Sequence, residues 1–301
     1  MAFEEHIELL KAIEPTAERL LAGHLQRRKH WYFHELVPWE QGRSFIDEPW
    51  DESQCTINER ARTALLLNLL TEDNLPYYHL ALDKYLPEGS AWKTWGKLWT
   101  AEEAQHAIAI RSYLLTSRNC DPVELEDDRL ATMKNGWYPD WRHPAELFAY
   151  TSAQELATRI SHRNTGKITE DPTAFALMRQ ISTDENHHFV FYKGIMAEMI
   201  RIEPSLVLEG IYDAFFNFQM QGAAVPRFTR RSIEMARAGV YNLRIHHDQI
   251  IKPLLDQWGI GRLTDLAPRA AEFQDKLMAL PQDLIRQAER FEARFPTPSV
   301  G

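Results

Sequence analysis

The sequence predicts an all-α fold, and three observations carry that reading. Glycine is scarce, 13 residues in 301, while long runs are rich in Ala, Leu, Glu, Arg and Gln, residues that lose little on entering a helix. Sixteen prolines fall mostly where one apolar periodicity ends and the next begins, as helix boundaries do. Four segments, 56–85, 90–116, 144–165 and 172–202, each have the length of a bundle helix.

In chain order, an amphipathic helix is expected over 4–25, followed by the basic run Arg27-Arg28-Lys29-His30. Such a run reads as a solvated helix end or as a docking patch for an acidic partner. An irregular segment rich in tryptophan, Trp31 to Trp50, holds Pro38 and Pro49. The four long helices come next, and Pro76 inside the first should kink or bulge it, because proline cannot donate to the carbonyl four residues back. A connection over 118–143, with a shorter helix over 121–133, joins the second to the third. Two hairpins linked by one long crossover make a ferritin-like four-helix bundle. Further helices are expected over 205–220, 229–239, 241–258 and 268–294, with a stop at Gly259-Ile260-Gly261. No linker rich in Gly and Ser divides them from the bundle, so residues 1–301 read as a single domain with its core at about 56–202 and added helices at about 204–295.

Composition removes several function classes. Cys55 and Cys120 have no CxxC partner and fit a reducing cytoplasm. The start, Met1 to His6, is acidic where a signal peptide would be basic, and the most apolar stretch, Ser205 to Val225, is broken by Glu209, Asp213 and Asn217. A cytoplasmic protein without a membrane span is expected. A formal charge of −9 argues against nucleic acid as the main partner.

The chemistry lies in a duplicated spacing. Glu103 and His106 stand three apart, as do Glu185 and His188, so each pair shares one helix face. Glu72 lies 31 residues before Glu103, and Glu155 lies 30 before Glu185, each on the preceding helix. About 15 residues out and 15 back return an antiparallel neighbour to the same height. Each half thus offers one Glu facing one Glu-x-x-His. Four carboxylates packed in a core would repel strongly, whereas two divalent cations cancel their charge and take two neutral imidazoles as further ligands. An oxygen and nitrogen donor set without thiolate suits iron or manganese rather than structural zinc. Glu102 and Asp184, each just before a ligand glutamate, are placed to receive the outer N–H of His188 and His106 respectively. Thr158, one turn past Glu155, could face the metal cavity or bond back to its own helix.

These residues resemble the soluble acyl-acyl-carrier-protein (acyl-ACP) desaturases, as bacterial-type members. The likeness rests on Trp99-Thr100-Ala101-Glu102-Glu103-x-x-His106, on Thr71-Glu72-x-x-Leu75-Pro76-x-Tyr78, and on the run from Tyr150 to Thr165. It continues through Asp184-Glu185-x-x-His188, Gly239-Val240-Tyr241 and the stretch from Trp258 to Leu266. The resemblance implies two iron ions held by Glu72, Glu103, His106, Glu155, Glu185 and His188, with Glu103 and Glu185 bridging. It implies a cis double bond made with O2 in an acyl chain on acyl carrier protein, electrons from ferredoxin, and a homodimer. Trp31, Asp184 and His106 match a trio linking surface to iron, and Thr158 matches a threonine tied to oxygen activation.

Four departures stand out. Ala104-Gln105 replaces Asn-Arg inside the first motif, His187 and Phe189 replace Arg and Glu around the second histidine, and Met220-Gln221-Gly222 replaces a basic stretch tied to carrier docking. Arg227, Arg230 and Arg231 follow soon after, and Leu147 takes a position that is glycine near the family's acyl channel. A sister oxidation of the acyl chain, such as hydroxylation or acetylene formation, and a non-catalytic ferritin-like iron binder are the alternative readings. The residues after Pro204 are unexplained by simple storage.

Overall fold

A computed structural model describes residues 7–219 and 221–296. The acidic start Met1 to His6, with the first residues of the expected first helix, and Met220 lie outside the described residues.

Helix α1 (Ile7–Arg27) precedes three single turns of 3-10 helix in the segment after Trp31. The bundle proper consists of α2 (Glu59–Glu72) extended by α3 (Leu75–Tyr85), α4 (Ala91–Thr116), α6 (Pro144–Ile168) and α7 (Pro172–Ile202). The crossover from α4 to α6 contains α5 (Pro122–Asn135). Beyond it come α8 (Pro204–Phe216), α9 (Phe228–Arg237), α10 (Leu243–His246), α11 (Lys252–Trp258) and α12 (Pro268–Arg294). No strand occurs among the described residues.

Local chemistry sets these boundaries. Pro144, Pro172, Pro204 and Pro268 each open a helix, where their missing N–H costs nothing. Side chains of Asn58, Ser90 and Asp171 cap α2, α4 and α7 by accepting from backbone N–H groups.

Two expectations need correction. The helix expected over 56–85 is two helices, interrupted at Asp73 and Asn74 just ahead of Pro76. Pro76 cannot donate to the Glu72 carbonyl, and the Tyr78 hydroxyl donates instead to the Thr71 carbonyl at 2.8 Å, which closes the broken turn. The helix expected over 241–258 contains a π-helical turn, His247–Ile251, between α10 and α11.

The core divides into two apolar halves. One gathers Trp92 and Trp95 of α4, Phe148 of α6 and Phe191, Tyr192 and Met196 of α7. The other gathers Leu65 and Leu69 of α2, Ile110 and Leu114 of α4 and Leu177 and Ile181 of α7. Between them, halfway along the bundle, lies a belt of buried charge.

Candidate metal centre

Each bundle helix sends carboxylates or imidazoles into that belt. Glu72 ends α2, Glu103 and His106 lie mid-way along α4, Glu155 on α6, and Glu185 and His188 on α7, and all six are buried. Their donor atoms fall into two groups, Glu72, Glu103, His106 and Glu185 in one and Glu103, Glu155, Glu185 and His188 in the other, with all atoms of a group within 4.8 Å of one another. Glu103 and Glu185 belong to both.

The two imidazoles are arranged alike. His106 Nδ1 lies 3.1 Å from Glu103 Oε2, 3.7 Å from Glu185 Oε1 and 3.9 Å from Glu72 Oε2. His188 Nδ1 lies 2.8 Å from Glu103 Oε1, 3.5 Å from Glu155 Oε2 and 3.8 Å from Glu185 Oε2. The outer nitrogens meet separate carboxylates, His106 Nε2 at 3.4 Å from Asp184 Oδ2 and His188 Nε2 at 2.9 Å from Glu102 Oε2. Trp31 Nε1 donates to Asp184 Oδ2 at 2.6 Å. Thr158 borders the cluster, but its hydroxyl donates to the carbonyls of Gln154 and Glu155 at 3.2 and 3.1 Å.

A cation fits this donor set. Glu155 Oε2, Glu185 Oε1 and His188 Nδ1 are buried without a hydrogen bond, although each lies within 4 Å of an opposite partner. Unpaired buried polar atoms are costly, and here they converge on shared space rather than align with one another. Charge points the same way. Burial, then the neighbouring Glu103 and Glu185, pushes Glu72 up to about 7, and burial drives Glu155 well above the ordinary carboxyl range. For Glu103 and Glu185 burial pulls upward too, yet the surrounding imidazoles outweigh it and hold both down. Burial works against the charge of His106 and His188, yet Glu103 and the other nearby carboxylates outweigh it and raise both well above the usual imidazole value.

Sequence reasoning missed four contributors. His162 Nε2 lies 2.9 Å from Glu72 Oε1 and 3.1 Å from Glu185 Oε1. It stands seven residues after Glu155, two turns along one helix face, so its spacing was a usable signal. Trp99, buried in the core beside the cluster, donates from Nε1 to Glu155 Oε1 at 3.0 Å. His24 Nε2 lies 3.1 Å from both Glu102 oxygens, and Arg28 Nε lies 2.7 Å from Glu102 Oε1. The basic run after α1 is therefore not wholly solvated, since Arg28 turns inward. Burial works against the Glu102 charge, but hydrogen bonds from His188 and His24 prevail and hold its carboxyl far below the usual range.

A cavity of about 60 Å3 touches the cluster at Glu72, Thr158 and His162. Phe228, Ser232 and Tyr241 line it and also line a larger cavity of about 820 Å3 among α8, α9, α10 and α12. Gly222 matters here, because a Cβ at that position would lie 2.3 Å from the Phe228 ring. The Tyr241 hydroxyl lies 2.7 Å from His246 Nδ1, and Phe218 stacks on the same imidazole. Burial, followed by the charge of His247, takes His246 down to about 4. Its folded value lies below the unfolded one, so the stability it lends is complete above about pH 6.5 and is lost as pH falls toward 4. His246→Phe should flatten the loss of stability between pH 6.5 and 4 by up to about 3 kcal/mol. Urea midpoints at several pH values check this, and an unchanged slope would refute it.

Comparison with known proteins gives a consistent result. A profile of the family described as fatty acid desaturase matches residues 5–299. A Mycobacterium tuberculosis protein named as an acyl-ACP desaturase, DesA1, is 39% identical over 297 residues, covering 95% of this chain and 88% of its own. The chloroplastic stearoyl-ACP 9-desaturase 1 of Arabidopsis thaliana is 27% identical over 311 residues, covering 96% and 79%. The crystal structure of M. tuberculosis DesA2, also titled an acyl-ACP desaturase, superposes with a TM-score of 0.68 at 26% identity, covering 87% of this chain and 97% of that one.

Proposed function

This chain belongs to the fatty acid desaturase family, and on that premise we propose that it places a cis double bond in an acyl chain carried by acyl carrier protein, with O2 as oxidant and ferredoxin as electron donor. The observation that carries the proposal is the pair of overlapping donor groups sharing Glu103 and Glu185, beside a cavity that touches Glu72 and Thr158. Two iron ions would be held by those groups, one by Glu72 and His106, the other by Glu155 and His188, with Glu103 and Glu185 offering donor atoms to both.

Such a pair, when bound, would supply the reduction of O2 to two waters, taking two electrons from the donor protein, two protons from solvent, and two electrons with two protons from adjacent methylenes of the acyl chain. The protein's residues do the rest. Asp184 and Glu102 fix the orientation and tautomer of His106 and His188 through their outer nitrogens. Trp31 joins Asp184 to the partly exposed segment after α1. The acyl chain fits the larger cavity, with Phe228 and Tyr241 at the narrow approach to Glu72. There apolar side chains exclude water from the reacting carbons. Leu147 is fully buried in the core half that includes Phe148 and lines neither cavity. Homodimerisation is proposed from the motif resemblance, and no helix among the described residues is long and apolar enough to cross a membrane.

The Thr158 hydroxyl is satisfied by its own helix, so Thr158→Val should alter stability by less than about 1 kcal/mol. If that hydroxyl serves oxygen chemistry, the ratio of product formed to O2 consumed will fall in the variant; an unchanged ratio removes it from the mechanism. The function itself is tested by mass spectrometry of acyl chains, of graded length on acyl carrier protein, after turnover with O2 and ferredoxin. Loss of two mass units is expected, whereas gain of oxygen would mean hydroxylation, and no oxidation at any length would refute the proposal.

A further inference from the structure

The outer faces of α6 and α7 carry positive charge that no ion pair among the described residues neutralises, the acidic residues nearest Lys167 in sequence being Glu170 and Asp171 of the turn between the two helices. Arg159, Arg163 and Lys167 repeat every four residues along α6 and so form a stripe, with Arg179 of α7 across from them. Residues 156–169 and 172–183 contain no Asp or Glu. Together the two faces border a groove of about 390 Å3 around Phe175, which is 41% exposed. Among the described residues none of these four cations forms an ion pair; Lys167 Nζ reaches only the Asn164 amide oxygen at 3.4 Å. The arginines after Met220 behave oppositely, for Arg227 and Arg231 pair with Asp128 and Arg230 with Glu234. On a chain of formal charge −9, an uncompensated basic groove is a local reversal of field, which steers an acidic partner toward it.

Position decides which partner. Ser161, which lines the small cavity, lies about 160° round α6 from Arg163, so the groove and the acyl cavities occupy different flanks of that helix. A carrier protein must sit where its acyl chain enters, and this groove is not that place. One end of the groove lies beside the metal centre along α6 and α7. Arg159 is one turn from Glu155, and Asn186 on its α7 wall adjoins Glu185, so the groove and the donor groups lie at the same level of the bundle.

We propose that this groove is the docking surface for the acidic iron–sulfur protein that delivers electrons, leaving the acyl entrance free for the carrier protein at the same time. The proposal rests on the desaturase reading and adds the site of its electron donor. Arg159, Arg163, Lys167 and Arg179 supply the charge, and Phe175 supplies an apolar contact at its centre.

The test compares the wild-type enzyme with R159E/R163E, with the conservative R159K/R163K and with the milder R163Q/R179Q, all checked by thermal melting. Initial rates are measured against an acidic two-iron ferredoxin at saturating acyl-ACP, then against acyl-ACP at saturating ferredoxin. Charge reversal should raise the KM for ferredoxin about tenfold or more and reduce its dependence on salt, with the KM for acyl-ACP unchanged. The lysine variant should stay within about twofold of wild type, and the glutamine variant should fall between. An unchanged ferredoxin KM would overturn the proposal, as would a rise in the acyl-ACP KM alone, which would make the carrier the occupant. A change of solution mass in R159E/R163E would make a second copy the occupant instead. Should wild-type enzyme oxidise no acyl chain, the functional reading fails separately, and direct titration of ferredoxin against wild type and R159E/R163E still decides the groove: tighter binding to wild type upholds it, equal binding ends it. If R159E/R163E melts early, R163Q/R179Q carries the same comparison.

Discussion

Glu103→Ala is expected to empty both metal positions and to lower turnover by on the order of a thousandfold or more. Glu103 has donor atoms in both groups, so its loss removes a ligand from each ion at once. It also leaves His188 Nδ1 and His106 Nδ1 without their nearest carboxylate oxygens, at 2.8 and 3.1 Å. Glu155 belongs to one group only, so Glu155→Ala should reduce iron content less severely, by one ion rather than two. Metal analysis per chain alongside product formation checks both. Equal iron content in Glu103→Ala and wild type would remove this residue from the ligand set, and unchanged iron in Glu155→Ala would remove that one.

Glu102→Ala should be the most damaging change outside the six candidate ligands. Its buried carboxylate faces His188, His24 and Arg28, and removing it leaves the Arg28 guanidinium and two buried imidazoles without their shared acceptor. Breaking a buried charge network in this way costs about 3–5 kcal/mol. In a chain of this size that corresponds to a fall in Tm of about 5–8 °C. His188 also loses the acceptor that fixes its tautomer, so metal affinity should drop about 10- to 100-fold. Calorimetry of the metal-free and metal-loaded variant separates the two effects. A Tm within about 2 °C of wild type would show that water or a counter-ion replaces the carboxylate.

The clustering of Glu72, Glu103, His106, Glu155, Glu185 and His188 was legible because helical geometry ties spacing to direction. Three residues put Glu103 and His106 on one face, and the offsets of 31 and 30 return Glu72 and Glu155 to the height of their partners. The bundle helices were legible through their caps and first-position prolines, Pro144 and Pro172 above all. Contacts set by tertiary packing were not. His24 and Arg28 meet Glu102 across a separation of more than 70 residues, and nothing in the periodicity of α1 distinguishes them from its other polar positions. The break at Asp73 and Asn74 was foreseeable as a distortion near Pro76, but its place depends on the Tyr78 hydroxyl reaching the Thr71 carbonyl. The π turn over His247–Ile251 lies just ahead of Pro253, whose missing N–H cannot bond the Gln249 carbonyl, so a distortion there was signalled as it was at Pro76. The uncompensated charge of the α6 groove emerged only once the acidic residues of the chain had found their partners elsewhere.

Anomalous diffraction at the iron edge from crystals of the iron-loaded protein tests the central claim most directly. Two peaks are expected inside the bundle, one flanked by Glu72 and His106, the other by Glu155 and His188, with Glu103 and Glu185 between them. A single peak, or iron bound anywhere else, would contradict the account.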